Sequence, residues 1–258
     1  MKNLDAYKLK WIAIIGMILN HMAITWFEII PSWLVIPMYA AGGLTFPIMG
    51  YFVSEGYRHT SSFKKYIFRL LGFALIAMPF HIMALSIPIG GGNILFYTFF
   101  NILFTIAFSL LILKMYDKMK SRVLFWILYV IFVVPFSILL EWQFIGVTMV
   151  LMFHIIRNES TRRIAPPVAA GVLMLGSGML AASSLQFLDY MEYVPDILAF
   201  NADFIRIMPV FTIGCLLAAF LLYNYNDERG KRMKYLFYII YPVHLAVLAG
   251  VGFALGIL

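Results

Sequence analysis

Charge is scarce in this sequence. Of its 258 residues, 12% are Asp, Glu, Lys or Arg, while 63% are hydrophobic. A water-soluble domain carries about 25% charged and about 45–50% apolar residues. The composition therefore excludes an ordinary soluble enzyme, and it excludes a disordered chain as well. Cysteine is almost absent. Cys215 is the single one, so no disulfide can close within the chain. No CxxC or Cys/His ligand spacing is present, and no metal centre is expected. The glycines at Gly90, Gly91 and Gly92 are followed by no Gly-Lys-Ser/Thr, so they read as an external turn and not as a phosphate loop. No internal repeat is evident. The start lacks a short apolar core followed by a small-residue cleavage site, so the first apolar run is expected to be retained.

What the sequence does have is long apolar runs. A membrane-crossing helix needs roughly 20 predominantly apolar residues, and nine candidates fill the chain: residues 11–30, 34–54, 66–86, 94–113, 123–140, 144–156, 165–187, 205–223 and 235–256. They are too long, and too free of period-two alternation, for barrel strands. The expectation is an all-α fold, a polytopic membrane helix bundle of about nine transmembrane helices in which residues 1–258 form one domain. No stretch is left for a separate soluble domain.

Charge placement orients the bundle. With the N-terminus in the cytoplasm, alternating spans put Lys2, Lys8, Lys10, Arg58, Lys64, Lys65, Arg69, Lys114, Lys118, Lys120, Arg122, Arg157, Arg162, Arg163, Arg229, Lys231, Arg232 and Lys234 on the cytoplasmic side. Arg206 alone falls elsewhere, and Asp189, Glu192, Asp196 and Asp203 share a long external loop. This is the positive-inside pattern. Because the clusters sit at helix ends, the formal charge of +7 reflects topology in a cell membrane, with the lipid bilayer and not nucleic acid as its partner. Trp11, Trp26, Trp33, Trp126 and Trp142 fall near span ends, as an aromatic belt would.

Polar residues inside the runs carry the functional signal, since an ionisable group at helix centre costs about 2.5–3.5 kcal/mol on insertion scales. His21 lies in the first run, Asn101 in the fourth and His244 in the last, all at similar expected depth. Lys10 and His21 are eleven positions apart. Eleven residues turn a helix through about 1100°, so the two share a face and lie about 16 Å apart along the axis. Lys10 then marks the water boundary and His21 the interior. A charged mouth with a proton acceptor at its bottom suits a long substrate with an anionic head and a reactive tip, and acyl-coenzyme A has that shape.

Residues 55–69, EGYRHTSSFKKYIFR, form the densest polar stretch between runs. Arg58, Lys64 and Lys65 are candidates for phosphate binding. Arg69, one turn into the third run, reads as a phosphate clamp or as a partner of Glu55. His81, beside Pro79, reads either as lining an acceptor path or as bonding a carbonyl that the proline frees.

LKWIAIIGMILNHMA (9–23), GGLTFPIMGYFVSEGYRHT (42–60), KKYIFRLLGFALIAMPFHI (64–82), NILFTIAFSLL (101–111) and YIIYPVHLAVLA (238–249) resemble the TraX family of conjugal-transfer membrane proteins. The resemblance implies N-terminal acetylation of a pilin. More distantly, the basic residue, ten-residue gap and His at Lys10 and His21 resemble the motif of the transmembrane acyltransferase superfamily, in which that His is implicated in catalysis and the donor is acyl-coenzyme A. The superfamily's paired arginines fall at Arg69, with Lys65 and Tyr66 before it in place of a second arginine.

The resulting expectation is a membrane acetyltransferase. Acetyl-coenzyme A would enter from the cytoplasm, its phosphates held by some of Lys10, Arg58, Lys64, Lys65 and Arg69. His21 would be the general base, with His244 or Asn101 orienting it or stabilising the oxyanion. The acceptor would be an exported peptide, a glycan or a lipid. Two other classes compete: a proton-coupled transporter using His21 and His244 as relay groups, and a non-catalytic membrane subunit of a pilus or secretion assembly.

Overall fold

The computed structural model describes residues 3–26, 29–89, 93–96, 100–190, 196–231, 235–256 and 258, and among these it describes side chains except at 86–89, 93–96, 180–190 and 196–208. Lys2, Gly90, Gly91, Gly92, Glu192, Arg232 and Lys234 lie outside the described residues, as do the side chains of Asp189, Asp196, Asp203 and Arg206.

The described residues form nine helices, one for each apolar run: α1 Ala6–Thr25, α2 Ser32–His59, α3 Phe63–Leu85, α4 Ile102–Lys118, α5 Arg122–Ser137, α6 Gln143–Ile155, α7 Glu159–Tyr190, α8 Asp196–Tyr223 and α9 Leu236–Ala254. Side-chain caps set several starts. Asp5 accepts from Lys8 N at 2.8 Å, Asn101 from Leu103 N at 3.1 Å and Ser121 from Leu124 N at 3.2 Å, each satisfying a first-turn N–H. Within α5, residues Tyr129–Val133 widen into a π turn.

Several boundaries depart from the sequence expectation: α1 covers 6–25 where 11–30 was expected, α7 reaches Tyr190 and α8 begins at Asp196, so Asp189, Asp196 and Asp203 stand in helices and not in a long external loop. The fourth run was expected to be helical from 94, but Asn93–Phe96 pairs with Ser86–Ile89 as a short antiparallel hairpin, and the helix begins only at Ile102. The fifth ends at Ser137, and residues 138–142 turn back into the bundle.

Helices α2, α3 and α9 are long and apolar enough to cross a membrane; α5, α6 and the Pro209–Tyr223 part of α8 are shorter apolar helices. Large apolar side chains face outward, with Phe68, Val123 and Phe220 exposed by 65% or more. That is the inverse of a water-soluble surface and the arrangement lipid favours. The protein is membrane-associated. Inside, α1 packs on α2, α2 and α7 on α8, and α9 on α3. Small residues allow close approach: Gly171 O accepts from Thr212 Oγ1 at 2.9 Å where α7 meets α8.

Candidate active site

His21 of α1 and His244 of α9 are 223 positions apart in sequence and bonded in the fold, with His21 Nδ1 2.6 Å from His244 Nε2. The ring planes differ by 8° with centroids 4.9 Å apart. At that nitrogen contact the rings meet edge to edge, not face to face. The proton positions follow from the network. His244 Nδ1 lies 2.9 Å from Ile240 O. A carbonyl can only accept, so Nδ1 carries the hydrogen and Nε2 offers its lone pair. His21 Nδ1 must therefore donate. In neutral His21 this leaves Nε2 as a free lone pair.

That lone pair faces Glu141 Oε1 at 3.7 Å, which is too far for a hydrogen bond. A proton arriving at Nε2 would turn the same gap into an ion pair. Glu141 is held from several sides. Its N–H donates to Phe100 O at 3.1 Å, its C=O accepts from Thr105 Oγ1 at 2.7 Å, and Tyr241 Oη lies 3.5 Å from Oε2. His81 of α3 is buried. The turn that presents Glu141 requires left-handed backbone at Trp142, with φ of 66°. Trp142 stacks on Phe46 with centroids 5.1 Å apart. It lines the interior and does not contribute to an outer belt.

Two cavities meet here. The inner one, about 30 Å³, is lined by Asn20, His21, Gly42, Thr45, Glu141 and Trp142, among others. It has room for one or two water-sized groups. The outer one, about 140 Å³, carries Lys10, Arg229 and Lys231. Met49, Ile106 and Phe237 line both and form the partition between them. Arg229 and Lys231 reach the mouth because their segment is tied to the N-terminus: Ala6 N donates to Glu228 O at 2.9 Å and Asn226 N to Leu4 O at 2.9 Å. Gly230 makes the approach possible. Its φ is +62°, and a Cβ there would stand 2.8 Å from Tyr7 Cβ.

Asn20 adds an unspent group. Its Oδ1 is buried and has no hydrogen-bond partner among the described residues. Leaving a buried acceptor unpaired costs about 1–3 kcal/mol.

The other expected site residues lie elsewhere. Asn101 was expected to orient His21 or stabilise an oxyanion, but its amide caps α4 and donates to Ala74 O at 2.9 Å. Both ends of the amide are spent on backbone. Glu55 does not pair with Arg69. It binds Arg162, with Arg58 Nη1 at 3.8 Å and His59 Nε2 at 3.7 Å. Arg69 lies over the rings of Tyr66 and Tyr238, at 5.5 and 5.0 Å, and both rings line the outer cavity. It stands behind the wall of that cavity. Arg58 donates to His154 O at 2.8 Å and lines a separate groove with Asp117 and His154. Lys64 and Lys65 are exposed at the start of α3. Glu141, Tyr241, Asn20 and the mouth role of Arg229 and Lys231 escape a reading of sequence alone. One signal for Glu141 was available: it is the sole acidic residue between Asp117 and Glu159.

The fold and the site together define a helical membrane protein with a buried histidine–histidine–carboxylate chain at the end of a basic passage. Comparison with known proteins gives this class a family. A family model described as TraX protein matches residues 6–252, and the chain belongs to that family. It is also 32% identical over 254 residues, covering 96% of each chain, to a Dichelobacter nodosus protein named "Probable fimbrial assembly protein FimC, serogroup H1". No solved structure matches.

Proposed function

We propose that this protein is a membrane acetyltransferase working in pilus or fimbria assembly. It moves an acetyl group from cytoplasmic acetyl-coenzyme A to an amine or hydroxyl of an exported acceptor, with a pilin-like peptide N-terminus favoured by the family. One observation carries the reading: the lone pair of His21 Nε2, opposite Glu141, opens on an inner cavity that adjoins a basic outer one. The donor's phosphates meet Lys10, Arg229 and Lys231, with Arg69 adding positive charge behind Tyr66 and Tyr238. The pantetheine arm passes Met49, Ile106 and Phe237 and brings the thioester to His21.

The chemistry balances without a cofactor. The acceptor nitrogen or oxygen attacks the thioester carbon as its proton moves to His21 Nε2. Glu141 stabilises the imidazolium so formed, and His244 fixes the ring through the Nδ1 hydrogen bond. The carbonyl then re-forms, the carbon–sulfur bond breaks, and His21 returns its proton to the departing thiolate. The products are the acetylated acceptor and free coenzyme A. Nine spans with a cytoplasmic N-terminus complete the proposal, since they put the basic mouth on the side that holds acetyl-coenzyme A.

Intact-mass spectrometry of envelope peptides and glycans, with and without the protein, tests the reaction. A difference of one acetyl group on a defined acceptor is expected. Reporter fusions after Lys118 and after Leu258 test the topology, and they should report opposite sides. The relative's name favours one other reading, a non-catalytic assembly subunit. Under it, replacing His21 leaves function intact.

A further inference from the structure

The inner cavity contains a polar atom that the reaction as described does not use. Asn20 precedes His21 on α1, and both side chains line the same small space. Asn20 is only 9% exposed, and its Oδ1 has no partner among the described residues. The amide is also confined. Gly42 lies so close that a Cβ there would be 2.4 Å from Asn20 Cγ and 2.4 Å from its Oδ1. The glycine leaves room for the carboxamide and walls it in. A buried acceptor kept unpaired next to the general base has a hydrogen bond to gain from a substrate that displaces it from its seat against Gly42.

We propose that Asn20 is a catalytic residue that holds the attacking nucleophile and sets its class. This rests on the acetyltransfer reading above. With the carboxamide shifted off Gly42 toward the cavity, the site offers two acceptors, His21 Nε2 and Asn20 Oδ1. A primary amine brings two N–H groups: one proton goes to His21 as the nitrogen–carbon bond forms, and the other hydrogen bonds to Asn20. The nitrogen lone pair is thereby aimed at the thioester carbon. A hydroxyl brings one hydrogen, so binding it at His21 leaves Asn20 unpaired. A site built around a hydrogen bond rejects the analogue that lacks it. Asn20 thus directs the acetyl group to amines and against alcohols.

The test uses the full chain in lipid vesicles, with acetyl-coenzyme A as donor and two small nucleophiles, glycinamide and glycolamide, that differ only in amine against hydroxyl. The unaltered protein should prefer the amine. Asn20→Leu, which keeps the size and removes the acceptor, should lower kcat/KM for glycinamide by about 10–100-fold, the effect of leaving one such group unpaired. It should change glycolamide by less than about 3-fold and leave the KM for acetyl-coenzyme A unchanged. Asn20→Asp, which retains an acceptor oxygen, should keep a preference for the amine. Should Asn20→Leu fail to insert, Gly42→Ala provides a second arm: its added methyl displaces the amide and should narrow the amine-to-hydroxyl ratio. An unchanged ratio in Asn20→Leu, or an equal loss for both nucleophiles, removes Asn20 from catalysis while leaving acetyltransfer intact. Transfer to neither nucleophile by the unaltered protein overturns the acetyltransfer reading itself, and this inference with it.

Discussion

Two of the buried polar clusters among the described residues use their charges in opposite ways. Near the ends of α2 and α6, Arg162 donates from Nε to Phe153 O at 2.6 Å, from Nη1 to Glu159 at 3.0 Å and from Nη2 to Glu55. Arg163 joins Asp227 and donates to Tyr225 O at 3.0 Å. The cations there meet carboxylates and backbone carbonyls, and the result ties α2, α7 and the segment after α8 together. In the second cluster the geometry stops short. His21 and Glu141 remain 3.7 Å apart, Asn20 Oδ1 has no partner among the described residues, and a cavity adjoins all three. A charge-paired cluster, in which Arg163 Nε goes unbonded 4.0 Å from Glu159 Oε2, holds helices in place, whereas one with an unpaired acceptor and a free base next to a cavity is prepared for a reactant. Burial alone does not distinguish the two, since Arg162 is 1% and His21 2% exposed.

The contrast breaks most sharply at His21. His21→Gln keeps polarity and approximate size but offers no basic lone pair, so turnover should fall by about 10²–10⁴-fold, the usual contribution of a general base. Donor affinity, measured by the rise in melting temperature with acetyl-coenzyme A, should hardly change. Full activity in a correctly inserted His21→Gln protein would end the general-base assignment. Glu141→Gln removes the counter-charge for the imidazolium and should cost about 10²-fold in kcat, with little change in KM. In the charge-paired cluster the expected effect is on stability. Arg162→Met leaves Glu55 with the longer contacts of Arg58 and His59, and Glu159 with Arg163 at 4.0 Å. Loss of one member of a buried pair costs about 3–5 kcal/mol, and partial exposure of both carboxylates reduces this to about 2–3 kcal/mol. The melting temperature should drop while kcat of the folded fraction stays unchanged. A kcat loss as large as that of Glu141→Gln would erase the distinction between the clusters.

Part of this site is visible in the sequence because an ionisable side chain stands out in an apolar run. His21, His244 and His81 stand out in this way, and helical periodicity puts Lys10 on the face of His21. The rest depends on chain ends and on long-range pairing. Asn101 looks like a mid-membrane amide only if the fourth helix starts at 94. With a hairpin before it and the helix starting at Ile102, the same residue becomes a cap. Glu141 follows directly on the run 123–140 and reads as a loop residue. It is brought inward by the pairing of residues 139–141 with Phe100 and by the left-handed backbone at Trp142. Arg229 and Lys231 look like topology charges until the N-terminal residues pair with 224–228 across more than two hundred positions. Such register is set by tertiary contacts that no local pattern encodes.

The smallest expected effect belongs to the basic mouth, and it separates the two clusters in another way. Lys10 is partly buried and lies 4.8 Å from the centre of the Phe52 ring, while Arg229 and Lys231 are exposed. Exposed charges are individually weak, and salt screens them, with a Debye length of about 10 Å at 0.1 M falling to about 3 Å at 1 M. Arg229→Ala should therefore raise the KM for acetyl-coenzyme A only about 2–10-fold and leave kcat unchanged. Raising salt in the unaltered protein should produce the same rise in KM, and it should largely remove the difference between the variant and the parent. The Arg162 cluster is buried at its cation, so the same salt should move its contribution to melting temperature little. A KM that ignores both Arg229→Ala and salt would take the phosphates away from this mouth. The Arg58, Arg122 and Arg157 groove beside Asp117 would then be the place to look for them.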